Sequence, residues 1–280
     1  MKFVRYGAPG REKPGLLDAQ GRIRCLLGHA REIDLHVYSR EGQRRMREID
    51  PESLPLVRSR HRLGVPFVGI GKFIGIGLNY RDHAEEAGLP IPSEPVVFNK
   101  WTSCISGPFD DIVQPPHSTK LDWEVELGVV IGRPARYVAE SEALKYVAGY
   151  CVINDVSERH FQFERGTQWD KGKGCDTFGP IGPWLVSADE VPDPQALDLW
   201  LDLNSKRMQT GNTRSMIFSV RHIISYLSRF MSLLPGDVIA TGTPPGVAMG
   251  MKTPRWMMPG DVLSLGIGGL GEQRQRVVAA

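Results

Sequence analysis

Short apolar runs alternate with loops from about residue 70 onward, in PVVFNK, DIVQPP, DWEVELGVVIG, AGYCVIND, GPWLV, LDLWLDLN, GDVIATG and DVLSLGIGG. Runs of this length and spacing are typical of the strands of an all-β or mixed-β architecture and do not fit a doubly wound sheet. Helical spacing is clearest in SVRHIISYLSRFM, and shorter helices are predicted around 141–147 and 157–165. The pattern therefore predicts a mixed, β-rich α+β fold with few helices.

The pattern is different before about residue 70. MKFVRYG and GLLDAQGRIRCLL predict short strands, and the charged stretch SREGQRRMREID predicts an exposed helix. Three prolines, Pro51, Pro55 and Pro66, lead to KFIGIGLNY, a predicted strand that runs into the helical stretch YRDHAEEAG. We therefore predict a small N-terminal domain over 1–70 and a larger domain over 71–280.

Composition and charge exclude several classes of protein. Among 280 residues, 34 Lys and Arg face 32 Asp and Glu, and the net charge of +2 gives no strong field that would attract nucleic acid or an anionic membrane. No apolar stretch approaches the ~18 residues of a membrane span, and the opening residues lack a signal-peptide pattern, so we expect a cytoplasmic protein. The four cysteines are scattered without C-x-x-C spacing and G-x-G-x-x-G is absent, which disfavours a disulfide framework and a redox role.

The segment LDWEVEL carries the first candidate chemistry. A period of two places its apolar residues on one face of a strand and Asp122, Glu124 and Glu126 on the other. Glu124 and Glu126 then lie side by side, and like charges at this spacing repel each other. Two interpretations stay open, a solvated strand face or a cation bound between the two carboxylates.

A third carboxylate, Asp155, follows the uncharged run 148–154 at a predicted strand end and precedes a predicted helix start. It serves either as a helix cap or as a ligand. Three carboxylates without a thiol nearby favour a hard cation, Mg²⁺, Mn²⁺ or Ca²⁺, over zinc.

Two further groups are candidates for acid–base and electrostatic chemistry. His83 and Glu86 are spaced i and i+3 on one helical face, where a carboxylate can orient an imidazole base. Lys173 lies in the glycine-rich stretch KGKGCD, which allows its ammonium group to approach a ligand closely. The alternatives are an exposed charged helix and a solvated loop lysine.

Five segments, GLNYRDHAEEAG, DWEVELGVVIG, YVAGYCVINDVSER, SMIFS and PGDVIATGTPPGV, resemble in their order and spacing the fumarylacetoacetate hydrolase family over about residues 70 to 275. The resemblance implies a β-roll catalytic domain in a homodimer or higher homo-oligomer. It also implies a bound Mg²⁺ or Mn²⁺ ion, with Glu124, Glu126 and Asp155 as its ligands.

The same resemblance implies roles for other residues. His83 with Glu86 matches the pair that activates water, and Lys173 matches a lysine near the substrate carbonyl or carboxylate, although Lys171 lies only two residues away. Gln162 and Thr243 match positions that contact substrate. Arg165, together with Gln168 and Ser215, is a candidate for contacting a polar substrate tail.

The whole chain is most similar to the branch that contains ureidoglycolate lyase and hydrolases of 2,4-diketo-3-deoxy-sugar acids. We expect a metal-dependent hydrolase that cleaves a C–C bond of such an acid, of the L-fuconate or L-rhamnonate type, into pyruvate and a hydroxy acid. The alternatives are ureidoglycolate lysis, oxaloacetate decarboxylation, isomerisation or hydration of a 2-oxo dienoic acid, and a non-catalytic structural oligomer. The expected partner is a small 2-oxo acid.

Overall fold

A computed structural model describes residues 1–58, 60–86, 88 and 90–280, without the side chain of His83. The strands are β1 (Lys2–Tyr6), β2 (Lys13–Leu17), β3 (Ile23–Cys25), β4 (Phe73–Gly77), β5 (Val96–Lys100), β6 (Ile105–Ser106), β7 (Ile112–Gln114), β8 (Leu121–Asp122), β9 (Val125–Ile131), β10 (Val147–Asn154), β11 (Ser157–Glu158), β12 (Gly179–Ser187), β13 (Asp198–Leu203), β14 (Lys206–Asn212), β15 (Val238–Ala240), β16 (Val262–Ile267) and β17 (Gly271–Ala279).

The α-helices are short, and several 3-10 turns accompany them. The α-helices are α1 (Leu35–Tyr38), α2 (Arg40–Arg47), α3 (Arg81–Glu86), α4 (Arg159–Phe163), α5 (Asp170–Lys173) and α6 (Val220–Phe230). The 3-10 turns are Pro51–Ser53, Thr102–Cys104, Glu140–Tyr146, Ala188–Glu190, Thr213–Ser215 and Ala248–Gly250. Within these described elements, no helix is long and apolar enough to cross a membrane.

Two sheets and a short ribbon form the core. A ten-stranded sheet has the order β3-β2-β1-β12-β10-β9-β15-β4-β5, and β6 pairs with β12. A five-stranded sheet has the order β14-β13-β16-β17-β7 and packs against β9 and β10, while β8 and β11 form a two-stranded ribbon. This sheet-rich arrangement with few helices confirms the predicted mixed α+β fold.

The predicted helices are present with small differences. Helix α6 begins where the Ser219 hydroxyl accepts a hydrogen bond from the His222 amide, and Ser39 caps α2 in the same way. The helix predicted around 141–147 is the 3-10 turn Glu140–Tyr146, which leads directly into β10. The four cysteines are free thiols, as expected.

The N-terminal strands continue the large sheet across the expected domain boundary. Strand β1 pairs antiparallel with β12, with Lys2 opposite Val186 and Phe3 opposite Leu185, and β2 and β3 extend the sheet beyond β1. The division into 1–70 and 71–280 stays a prediction.

The acidic segment is more deeply buried than its alternation suggests. Every residue from Leu121 to Ile131 is buried, so the acids do not face solvent. The strand is also interrupted between Asp122 and Val125, because β8 pairs with β11 while β9 pairs with β10 and β15. The solvated-face interpretation is therefore wrong, and these carboxylates require partners inside the protein.

Candidate metal centre

Three carboxylates converge at the end of the central strands. Strands β9 and β10 pair antiparallel with Val125 opposite Asn154, and the Asp155 amide donates to the Glu124 carbonyl oxygen over 2.9 Å. This register brings Asp155, the first residue after β10, beside the two glutamates. One carboxylate oxygen each of Glu124, Glu126 and Asp155 lies within 4.8 Å of the others, and all three side chains are buried.

Two buried lysines bind this cluster. The Lys173 ammonium donates to Glu124 Oε2 over 2.6 Å and to Asp155 Oδ2 over 2.8 Å. The Lys100 ammonium donates to Asp155 Oδ1 over 2.6 Å and also to the Lys173 carbonyl oxygen. Burial lowers the pKa of Lys100, but the adjacent charge of Asp155 outweighs burial and the net pKa is raised, so Lys100 stays protonated.

A buried arginine organises the other side of the cluster. Arg159, at the start of α4, donates to Asp122 Oδ2 over 2.9 Å, to Glu124 Oε1 over 2.5 Å and to Gln162 Oε1 over 3.0 Å. Asp122 accepts in addition from the backbone amides of Ala248 and Met249, over 2.8 and 3.1 Å. Arg159 and Asp122 therefore fix Glu124, Gln162 and the loop after Thr243 relative to one another.

Glu126 has a different environment from the other two carboxylates. Its Oε2 accepts from the Gly242 amide over 2.8 Å, and no basic side chain of the described residues lies within 4.0 Å of it. Gly242 has a φ of 99°, a conformation that favours glycine. Burial raises the pKa of Glu126 well above its ordinary value, and the negative charges of Asp155 and Glu124 raise it further.

The donor set fits a hard divalent cation. Four buried carboxylates, including Asp122, face the three basic side chains of Lys100, Lys173 and Arg159. Glu126 is the one carboxyl group of these four that has no cationic partner among them. Oxygen ligands of this kind are those that Mg²⁺ and Mn²⁺ prefer.

A cleft opens beside the carboxylates. Its lining combines polar residues of the cluster with apolar and aromatic residues, namely Ile76, Gly77, Leu78, Phe98, Glu124, Glu126, Arg159, Gln162, Phe163, Trp169, Lys173, Thr243 and Met249. A cleft that combines apolar walls with a few polar groups is typical of a small-molecule site.

Comparison with known proteins identifies the family. The family pattern described as "Fumarylacetoacetate (FAA) hydrolase C-terminal" matches residues 72–278. This chain belongs to the fumarylacetoacetate hydrolase family. It is therefore a hydrolase-type enzyme of that family, as the sequence motifs indicated.

Similar proteins cover the whole chain. A Burkholderia multivorans protein whose name says no more than hydrolase is 62% identical over 281 residues, which are 100% of each chain. The fumarylacetoacetate hydrolase of Exiguobacterium antarcticum is 35% identical with a TM-score of 0.90, and 100% of each chain is covered. Maleylpyruvate hydrolase from Sphingobium sp. SYK-6, solved with manganese(II) and pyruvate, is 28% identical with a TM-score of 0.84, again over 100% of each chain.

The two lysines proposed from the family resemblance have different environments. Lys173 is 2% exposed and lies between two carboxylates, whereas Lys171 is exposed and its ammonium donates to the Arg165 carbonyl oxygen. Only Lys173 of the two lines the cleft.

The candidate substrate contacts divide into two groups. Gln162 lines the cleft, and its Nε2 donor has no hydrogen-bond partner among the described residues. Thr243 also lines the cleft, but its hydroxyl donates to the Val125 carbonyl oxygen and accepts from Gln209. The polar-tail candidates, Arg165, Gln168 and Ser215, are exposed and do not line the cleft. Their assignment stays a prediction.

Glu86 contacts the same loop that Asp122 binds. Its carboxylate accepts from the Gly246 amide over 3.0 and 3.2 Å, and a Cβ at Gly250 would lie 2.7 Å from its carboxyl carbon. Helix α3 is therefore attached to the loop that leads to Met249 in the cleft. The side chain of His83 lies outside the described residues, so the His83–Glu86 pair stays a prediction.

Sequence reasoning did not assign roles to Lys100, Arg159 and Asp122. Lys100 is two residues after the buried Phe98 in β5 and so shares its face, which is a weak signal for an inward-pointing charge. Arg159 follows Ser157 and Glu158 in the family-like segment, but nothing local indicates its partners.

Replacing Asp122 by Asn is expected to destabilise the protein by about 3 kcal/mol, because the amide would place a donor opposite Arg159 Nε and the Met249 amide. Urea unfolding measures the change. The matched control is Asp189→Asn, which removes a half-exposed pair with Arg47 of 2.7 Å and should cost less than about 1 kcal/mol. Equal losses in the two variants would contradict an organising role for Asp122.

Proposed function

We propose that this enzyme is a divalent-metal-dependent hydrolase that cleaves the C3–C4 bond of a 2,4-diketo acid and releases pyruvate and a second carboxylic acid. The observation that carries the proposal is the buried set of Glu124, Glu126 and Asp155, with Lys173 on it and the cleft beside it. The manganese(II) and pyruvate in the structure of the similar maleylpyruvate hydrolase support both the metal and the product.

Glu124, Glu126 and Asp155 would hold the cation, Mg²⁺ or Mn²⁺, which when bound supplies Lewis-acid polarisation of the carboxylate and keto oxygens of a 2-oxo acid. Asp122 and Arg159 keep Glu124 in position. The Nε2 donor of Gln162 is available to a substrate oxygen in the cleft.

The reaction consumes one water. His83, oriented by Glu86, takes a proton from the water, and the water oxygen attacks C4. The C3–C4 bond then breaks, its electron pair stays with C3 and the adjacent keto oxygen, and C3 takes up a proton to give pyruvate. The ammonium group of Lys173 stabilises the negative charge on this fragment, a type of contribution that is worth several kcal/mol of barrier.

The finer expectations from the sequence remain proposals. The proposed reaction requires a 2,4-diketo acid. A substrate with a sugar-acid tail of the L-fuconate or L-rhamnonate type fits this requirement, and so does a diketo acid with a simpler group on C4. Ureidoglycolate, oxaloacetate and a 2-oxo dienoic acid carry the same 2-oxo or 2-hydroxy acid end, so they belong in the assay. Homo-oligomerisation, the two-domain division and a cytoplasmic location also stay predictions.

Chelation of the purified enzyme is expected to lower pyruvate release from acetylpyruvate to below about 1% of its starting rate, because the three ligands alone cannot polarise the substrate. Adding Mg²⁺ or Mn²⁺ should restore the rate. A coupled assay with lactate dehydrogenase measures the release of pyruvate. Ureidoglycolate, oxaloacetate and a 2-oxo dienoate are assayed in parallel. Metal-independent pyruvate release, or turnover of the parallel substrates alone, would contradict the proposal.

A further inference from the structure

Three aromatic side chains of the cleft lining form a connected group. Phe98 from β5, Phe163 at the end of α4 and Trp169 before α5 pack together, with ring centroids 5.7 Å apart for Phe98 and Trp169 and 5.5 Å apart for Phe163 and Trp169. We call these three residues the aromatic wall. All three line the cleft.

The aromatic wall is held by its surroundings. A Cβ at Gly77 would lie 2.7 Å from a ring carbon of Trp169, so the indole lies directly on the glycine backbone. The next residue, Leu78, lines the cleft with a φ of 52°, an uncommon conformation for a leucine. Asn79 fixes this turn through hydrogen bonds to the Phe218 and Thr241 carbonyl oxygens, over 3.0 and 2.7 Å. The apolar side of the cleft is therefore preformed.

Phe163 is unusually exposed for its position. Its side chain is 44% exposed although it follows the buried Gln162 and contacts Trp169 at the cleft. An apolar ligand group that buries exposed apolar area beside a binding site gains binding free energy. Trp169 and Met249 line the same cleft as Phe163 and are only partly buried.

The polar groups of the cleft are concentrated at the carboxylate cluster. Arg159 uses its nitrogens on Asp122, Glu124 and Gln162, and Thr243 is hydrogen-bonded within the protein. Among the described residues that line the cleft, the apolar ones are Ile76, Leu78, Phe98, Phe163, Trp169 and Met249, and their only side-chain N–H is the indole of Trp169. A sugar chain carries several hydroxyl groups, and those that lay against these side chains beyond the reach of the Trp169 indole and Gln162 Nε2 would lose a water partner without gaining a side-chain partner.

We infer that the substituent on C4 of the substrate is apolar, an alkyl or aryl group that lies against the aromatic wall, and not a polyhydroxylated chain. This inference rests on the proposed function, which places the 2-oxo acid end at the carboxylate cluster. It narrows the substrate class to acylpyruvates with an apolar arm.

The test is a chain-length series of acylpyruvates, from acetylpyruvate to hexanoylpyruvate and benzoylpyruvate, beside 2,4-diketo-3-deoxy-L-fuconate. We expect kcat/KM to rise about fourfold for each added CH₂ that contacts the aromatic wall. The sugar acid should be cleaved at least about tenfold more slowly than hexanoylpyruvate, since its hydroxyl groups stay unpaired.

Phe163→Ser should reduce the preference for hexanoylpyruvate over acetylpyruvate by about tenfold, because an apolar contact is lost. The matched control is Phe230→Ser at the end of α6, where a phenylalanine that is 67% exposed lies outside the cleft, and it should keep the preference of the parent enzyme. Circular dichroism verifies that both variants are folded.

The outcomes separate the two proposals. Pyruvate release from none of these diketo acids would contradict the proposed function itself. Faster cleavage of the sugar acid than of hexanoylpyruvate, a flat chain-length series, or an unchanged preference in folded Phe163→Ser would overturn the apolar arm and leave C–C hydrolysis standing.

Discussion

Glu126→Gln is expected to lower kcat/KM for the proposed diketo-acid cleavage by about 10³-fold, equivalent to about 4 kcal/mol of lost transition-state stabilisation. The amide has nearly the same shape as the carboxylate and its oxygen can still accept from the Gly242 amide, so the change removes the charge and leaves the fold. Calorimetric titration with Mn²⁺ should show affinity weaker by at least about tenfold. Steady-state pyruvate release measures the rate.

The metal-free form of the same variant provides a control on folding. Because burial and two neighbouring carboxylates raise the pKa of Glu126 in the native state, the native protein keeps this proton at pH values where the unfolded chain has lost it. The contribution of this proton to the free energy of unfolding is largest below the ordinary glutamate pKa of about 4.5. It declines as the pH rises toward the pKa of Glu126 in the native protein. At pH 8, the metal-free Glu126→Gln variant should therefore have a melting temperature equal to or higher than that of the metal-free parent. A lower melting temperature would show that the loss of activity reflects unfolding.

Lys173→Met is expected to lower kcat by about 10² to 10³-fold, because the Lys173 ammonium group lines the cleft beside Gln162 and can stabilise charge on the departing fragment. Methionine preserves much of the side-chain volume. Mn²⁺ affinity should not fall, since Glu124 and Asp155 lose a competing positive charge. Rapid-quench measurement of pyruvate formation separates kcat from substrate binding.

The matched control is Lys171→Met, two residues earlier. Its ammonium is exposed and contacts the Arg165 carbonyl oxygen, so kcat should stay within about twofold of the parent. A large loss in Lys171→Met together with full activity in Lys173→Met would assign the catalytic lysine to position 171 instead.

Local sequence patterns were sufficient for the elements and for the ligand candidates. The apolar spacing of SVRHIISYLSRFM produces α6, and the short apolar runs produce the strands, since both periods depend only on near neighbours. Glu124 and Glu126 are candidate ligands because like charges at their spacing repel each other without a cation between them, and Asp155 is a candidate because it stands at a predicted strand end. The family signature in the same segments was likewise a property of the sequence.

Sequence reasoning was less successful where a contact depends on strand pairing or helix packing. Lys100, Arg159 and Asp122 belong to three separate segments, and only the folded chain shows that their charges meet around Glu124 and Asp155. Arg165, Gln168 and Ser215 are polar-tail candidates by residue type alone, and they lie outside the lining of the cleft, to which Phe98, Phe163 and Trp169 belong.

The sequence by itself therefore determined the strands, the main helix, the family and the acidic residues that are candidate ligands, because each is encoded in residues close together along the chain. Tertiary structure alone decided which basic side chains contact those acids, which lysine lies in the cleft and which aromatic side chains line it. The physical reason is that antiparallel pairing of β9 with β10 and the packing of α4 against β11 bring distant segments into contact. Burial and charge at the site depend on those contacts and not on any local pattern.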